Sequence, residues 1–289
     1  MPIETVSPTL DEPHGWLDAL RWVMTRPGLI TGLPGGTSPL MRADDPRLDG
    51  LLAHTRAVWP TLKQRLHCRK LGLAFESLIA WGMVHGLGWE IVGRDVQVFE
   101  DKRTVGALDL VVRDPSGAVT HWELAYKLYL QCEDSRDWDS WLGPAGRDRL
   151  GIKLRHMLTH QLPLSSRPEA VEALRPLGVD AIDHRRIMLQ GSLFTPWGAT
   201  AVAPVDGHQP AEGRWLREAD LPRLLDTYPE ARWVPRTKPL WFGPAPDGAD
   251  GLSADALRRR PPLEHALLLS RVDEQGDYLV FVVPSVWNR

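Results

Sequence analysis

Along this chain the spacing of apolar residues changes from helical to alternating and back, and those changes mark its elements. Trp16, Leu17, Leu20 and Val23–Met24 recur at helical spacing, which predicts a helix over Asp11–Met24, followed by a glycine-proline linker, Arg26–Pro39. A second helical stretch runs from Pro46 to about Gly86 with a kink at Pro60, and its first half is basic (Arg56, Lys63, Arg65, Arg69, Lys70). From Trp89 the period becomes two. Three strands follow, Arg94–Phe99, Thr104–Arg113 and Val119–Gln131, joined by turns at Glu100–Arg103 and Asp114–Gly117 that suit antiparallel hairpins. Arg147–His160 is again helical, with Leu150, Leu154, Met157 and Leu158 on one face, and Arg186–Phe194 is a buried strand. Farther on, Leu216–Leu225 has helical spacing, Trp233–Trp241 is broken by proline, and Asp247–Pro262 has the composition of a loop. Ala266–Val272 and Asp277–Pro284 form a closing hairpin across Glu274–Gly276.

This order predicts an α/β fold with one core: an N-terminal helical extension over 1–45, the core over 46–200, and a C-terminal elaboration over 201–289. Composition adds exclusions. The chain has 289 residues, 43% of them hydrophobic and 25% charged, which excludes disorder, collagen and coiled coil. Apolar runs such as Leu279–Val283 are far shorter than the roughly 20 residues of a membrane-spanning helix. Met1–Leu10 has no signal-peptide pattern, and two cysteines, Cys68 and Cys132, read as reduced thiols in a cytoplasm. A net charge of −3 argues against coating nucleic acid by bulk charge. Thirteen tryptophans are many, though large aromatics usually fill cores.

Chemistry enters with three carboxylates. Glu76 lies on a helix, Leu71–Leu87, that is apolar on nearly every face, so it needs a basic partner or a metal. Asp109 interrupts the buried strand Val105–Val112, where aspartate is disfavoured. Gly106 nearby admits either the close approach of a ligand or another backbone, or a simple bulge. In the third strand His121, Glu123, Lys127, Tyr129 and Gln131 share one face, as they would on a watered edge strand, or on a site strand with Asp109 beside Glu123. Two carboxylates on adjacent strands, a third on a packed helix and a lysine are the parts of a Mg²⁺ site that binds a phosphodiester. On the next helix Arg149, Lys153, His156 and His160 form a cationic stripe that either is a solvated face or holds phosphates.

That order, helix with Glu, strand with Gly-x-x-Asp, strand with Glu and a nearby Lys, then helix and strand, resembles the PD-(D/E)XK nuclease-like superfamily. Gly72–Glu76, Gly106–Asp109, Glu123–Leu130 and the segment with Trp141–Pro144, Asp148, Lys153 and Gln161–Leu162 are closer still to an uncharacterised bacterial family, domain of unknown function 1853. The resemblance implies a restriction-endonuclease-like core (helix, three-strand antiparallel meander, helix, strand) and Mg²⁺- or Mn²⁺-dependent cleavage of DNA or RNA. In that assignment Asp109, Glu123 and Glu76 are metal ligands, Lys127 orients the attacking water, and Arg149 and Lys153 bind phosphate. Two positions depart from the superfamily pattern. Ala107 stands where a glutamate is frequent, and the Glu-x-Lys spacing falls on Ala125, one pleat from Lys127, with Lys153 as the other lysine candidate. A nuclease-like scaffold that has lost its chemistry is therefore the alternative, and a structural ion-pair network a third.

Overall fold

The structure, a computed structural model, describes residues 13–30, 32–36, 39–66, 70–134, 136–199, 213–238, 241–243, 245, 249, 251–274 and 276–288. Met1–Leu10, Asp11, Cys68 and Arg69 lie outside the described residues. Nine helices occur among them: α1 (His14–Thr25), α2 (Pro46–Ala57), α3 (Trp59–Arg65), α4 (Leu71–Leu87), α5 (Leu150–His156), α6 (Leu162–Leu164), α7 (Pro168–Leu174), α8 (Leu221–Thr227) and α9 (Ala254–Arg258). The strands are β1 (Glu90–Glu100), β2 (Arg103–Arg113), β3 (Val119–Gln131), β4 (Trp141–Leu142), β5 (His184–Pro196), β6 (Gly213–Arg217), β7 (Arg232–Arg236), β8 (Leu267–Asp273) and β9 (Gly276–Val283). They form one mixed sheet in the order β1-β2-β3-β5-β6-β9-β8-β7, with β4 paired to β3. The three middle pairings, β3–β5, β5–β6 and β6–β9, are parallel, and both flanks are antiparallel.

The sheet is covered on both faces, and β3 shows why its alternation is so regular. Trp122, Leu124, Tyr126, Leu128 and Leu130 pack with α1, α2 and α4 around Leu20, Phe75 and Leu78. The opposite face sets Ala125 and Tyr129 against Leu150, Leu154 and Met157. An antiparallel strand with a watered edge would alternate in the same way, but β3 lies between β2 and β5 and its polar face is buried too. Parallel pairing of β3 with β5 needs a long crossover, which β4, α5, α6 and α7 supply. The glycine-proline segment after α1 then lies along the free side of β5: Leu29 N–H donates to Leu189 O at 2.6 Å and Ile187 N–H to Gly35 O at 2.8 Å.

Several elements differ from the sequence expectation. The stretch 46–86 is three helices and not one kinked helix, because α2 ends at Ala57 and Pro60, which has no N–H to donate, sits in the first turn of α3. Leu216 belongs to strand β6; the helix begins only at Leu221, with Pro222 in its first turn. The loop over 247–262 contains α9, whose N-cap Ser253 Oγ accepts from Ala256 N–H at 3.2 Å. Pro235 lies inside β7, which tolerates a missing donor because it is the edge strand. Arg147–His160 is α-helical only over Leu150–His156 and continues as a π-helical turn, Met157–Gln161. No helix among the described residues is long and apolar enough to cross a membrane.

Candidate functional site

The site forms where two strands separate. β2 and β3 pair from Arg113↔Val119 to Leu110↔Trp122, and the next residue of β2 is Asp109. Its Oδ2 accepts the Leu124 N–H at 2.9 Å, so a side chain continues the ladder where the backbones diverge. Gly106 does not open the site to a ligand: a Cβ there would lie 2.7 Å from Leu164 Cδ2, so the missing side chain makes room for α6.

Glu123 is fully buried, and hydrogen bonds hold both of its oxygens. His121 Nε2 lies 2.8 Å from Oε1, and Gln161 Nε2 donates to Oε2 at 2.5 Å. Burial pushes the His121 ring down to about 4, so it is neutral. Once ionised, above about pH 7, Glu123 can only accept, which then assigns the ring proton to Nε2 and leaves Nδ1 to accept from Ser165 Oγ at 3.0 Å. Arg185 Nε in turn donates to that oxygen at 2.9 Å. The run Arg185, Ser165, His121, Glu123 therefore points its donors one way, toward the carboxylate.

Asp109 is pushed up to about 7 by burial first and then by the Glu123 charge, while Glu123 is pushed up to about 7 by burial and Glu76, against the pull of its hydrogen bonding with Asp109 and of Lys153. Glu76 on α4 is half-buried and also pushed up to about 7, by burial first and then by Asp109, against the pull of Arg94 and Lys153. Lys153 is the cation coupled to Asp109 and Glu123, although burial and the adjacent Lys127 lower its own pKa. It reaches the pair through Gln161, donating from Nζ to Oε1 at 2.9 Å. Lys127 does not join them; its Nζ pairs with Asp148 Oδ2 at 2.6 Å. Arg149 Nη1 donates to Asp139 O at 2.6 Å, while the His156 and His160 rings stack at 5.3 Å. The cationic stripe is thus largely engaged within the protein. Trp141 is buried core, as its size suggests.

The structure brings together Glu76, Asp109, Glu123 and Lys153, and places Lys127 and Arg149 on other partners. Gln161 and His121 are the functional candidates that sequence reasoning missed. Gln161 lies within the stretch that carries the family resemblance, but the π-turn that positions it breaks the regular helical period. Among the described residues no three His, Cys, Asp or Glu side chains form a metal-binding group.

These shifts set a pH dependence. Acids whose folded pKa is raised hold protons that the unfolded chain has lost, so stability falls as pH rises from about 4 through about 7. The lowered His121 acts oppositely between about 4 and 6.5, but it is one proton against three. Without divalent ions the protein should melt at a higher temperature at pH 5.5 than at pH 8, which scanning calorimetry in chelator tests. A higher melting temperature at pH 8 would contradict the electrostatics described.

The family model for the Domain of unknown function (DUF1853) matches residues 18–277 of the chain. Neither curated proteins nor solved structures yield a match.

Proposed function

The chain belongs to the DUF1853 family, and we propose that it is a Mg²⁺- or Mn²⁺-dependent phosphodiesterase of the PD-(D/E)XK type, acting on DNA or RNA in the cytoplasm. The observation that carries this reading is the Asp109–Glu123 pair, a half-buried and a fully buried carboxylate both pushed up to about 7 where β2 and β3 part, with Lys153 electrostatically coupled to them. Its architectural support is the order α4, β1–β3, α5 and parallel β5, the helix, meander, helix and strand of a restriction-endonuclease-like core.

The donor set fits a hydrated hard cation. Mg²⁺ commonly takes one or two carboxylates and fills its other positions with water and substrate oxygens. Asp109 and Glu123 would hold it, with Glu76 acting through water. When bound, the ion supplies Lewis-acid polarisation of the phosphoryl group and a more acidic water. The chain's own residues do the rest. Gln161 and His121 hold Glu123 in one rotamer, and Asp109 is held by the Leu124 N–H. Lys153 would supply the positive charge for the scissile phosphate and orient the attacking water, in the role the superfamily gives to position 125. Here that position is Ala125, packed against the α5 core. Lys127, paired with Asp148, is close enough to Lys153 to lower its pKa.

The test is cleavage of single- and double-stranded DNA and RNA with Mg²⁺ or Mn²⁺. Glu123→Gln should abolish it and Lys153→Ala should lower kcat at least about 100-fold, since positioned charge contributes on that scale. Lys127→Ala should cost only a few-fold. No cleavage across the panel, or a fully active Glu123→Gln, overturns the reading. The second reading, a nuclease-like binding module without chemistry, is favoured by one observation: both Glu123 oxygens already have protein partners. It predicts nucleic-acid binding that is indifferent to Mg²⁺ and to Glu123→Gln.

A further inference from the structure

A second group of cations lines a cavity of about 430 Å³ at the C-terminal end of β5, bounded by β6, β8, β9 and the residues of and after α8. We propose that this cavity is a nucleotide site, taking a phosphate monoester joined to a planar base. Its volume is in the range of small-molecule sites, roughly 300–1,000 Å³, and far too small for a duplex. Trp197, Tyr228 and Tyr278 supply aromatic walls, and Arg214 and Arg271 the charge; no carboxylate is among the described lining residues.

The guanidiniums are positioned in advance. Arg271 is 8% exposed, with Cζ 4.1 Å from the Tyr228 ring centroid and 5.1 Å from that of Tyr278. Its Nε lies 2.9 Å from Asp273 Oδ2, and Arg214 Nη1 donates to Thr195 Oγ1. A guanidinium has five N–H donors, so these contacts leave donors in both forks. Arg223, outside the lining, lies over the Trp197 ring with Cζ 5.5 Å from its centroid. Two ordered arginine forks suit the dianionic oxygens of a phosphate, and a flat aromatic wall suits a base; a cationic ligand would meet repulsion. None of these residues belongs to the carboxylate site, so the inference does not depend on the nuclease reading.

A phosphate monoester on a planar base can come from a free nucleoside 5′-monophosphate or from the 5′-phosphorylated end of a strand. Titration calorimetry on the full chain in chelator, where no divalent-dependent event contributes, separates them. Adenosine and uridine 5′-monophosphates should bind at least tenfold more tightly than adenosine or inorganic phosphate. Arg214→Gln and Trp197→Leu should each weaken binding at least tenfold with unchanged melting temperature. A 5′-phosphorylated dinucleotide binding as tightly as the monophosphate identifies a strand end; weaker binding identifies a free nucleotide. The proposal is overturned if monophosphates do not bind at millimolar concentration, if phosphate or adenosine alone binds equally well, or if both folded variants bind like the unaltered chain. Should either variant fail to fold, the ligand comparison on the unaltered protein decides.

Discussion

Asp109→Asn is expected to abolish divalent-dependent cleavage and, in the absence of divalent ions at pH 8, to raise the melting temperature. Asparagine keeps the volume and the carbonyl oxygen that accepts the Leu124 N–H, so the opening between β2 and β3 stays closed by the same bond. What disappears is a negative charge that Glu123 repels and that in turn repels Glu76. Relief of that repulsion should stabilise the fold by about 1–2 kcal/mol, while loss of a ligand should reduce cleavage at least about 1,000-fold. Asp109→Ala separates the two contributions. It removes charge and acceptor together, and an orphaned buried N–H costs about 1–3 kcal/mol, so alanine should melt lower than asparagine. If Asp109→Asn instead melts well below the unaltered chain, the cluster is a structural ion-pair network.

Gly191→Ala is expected to have the largest effect on folding. Gly191 has φ +150° and lies opposite Lys127 in the β3–β5 ladder, which runs from Thr120↔His184 to Leu130↔Phe194. An added Cβ would overlap the Lys127 carbonyl oxygen, a backbone atom that cannot move aside without opening the ladder. The substitution should cost more than about 4 kcal/mol, a large part of a typical domain's stability. Insoluble expression or a melting temperature lower by more than about 10 °C is the anticipated result. Gly50→Ala is the control: Gly50 lies exposed within α2, a Cβ there meets nothing within 4 Å, and the change should stabilise by about 0.5–1 kcal/mol. Equal melting temperatures for Gly191→Ala and the unaltered chain would refute the packing argument.

Both predictions depend on β3, and β3 is also the element most fully encoded in local pattern. Its bounds, Val119–Gln131, its two faces and the antiparallel meander leading into it follow from local alternation and turn chemistry, which act over a few residues. The mixed α/β class and the closing hairpin are legible in the sequence for the same reason. Glu76 and Asp109 are conspicuous because each puts a charge where the surrounding pattern calls for apolar side chains, whereas Glu123 stands on the polar face of β3 and draws notice only through the strand that carries Asp109.

What local pattern cannot contain is pairing at a distance. A lysine two residues from Ala125 and one on the following helix are equally reasonable partners for Glu123 as long as only spacing is known. The tertiary structure chose, giving Lys127 to Asp148 and bringing Lys153 to Glu123 through Gln161. That choice depends on a π-turn and on a crossover that returns the chain to β5, neither of which leaves a periodic signature. Placement of the C-terminal strands in the same sheet, and of Arg214 and Arg271 around one cavity, likewise follows from pairings between residues far apart in sequence. The sequence alone therefore specified which side chains are costly to bury in this protein, because that cost is local. Only the fold specified which of them offset one another, because that depends on distances between segments.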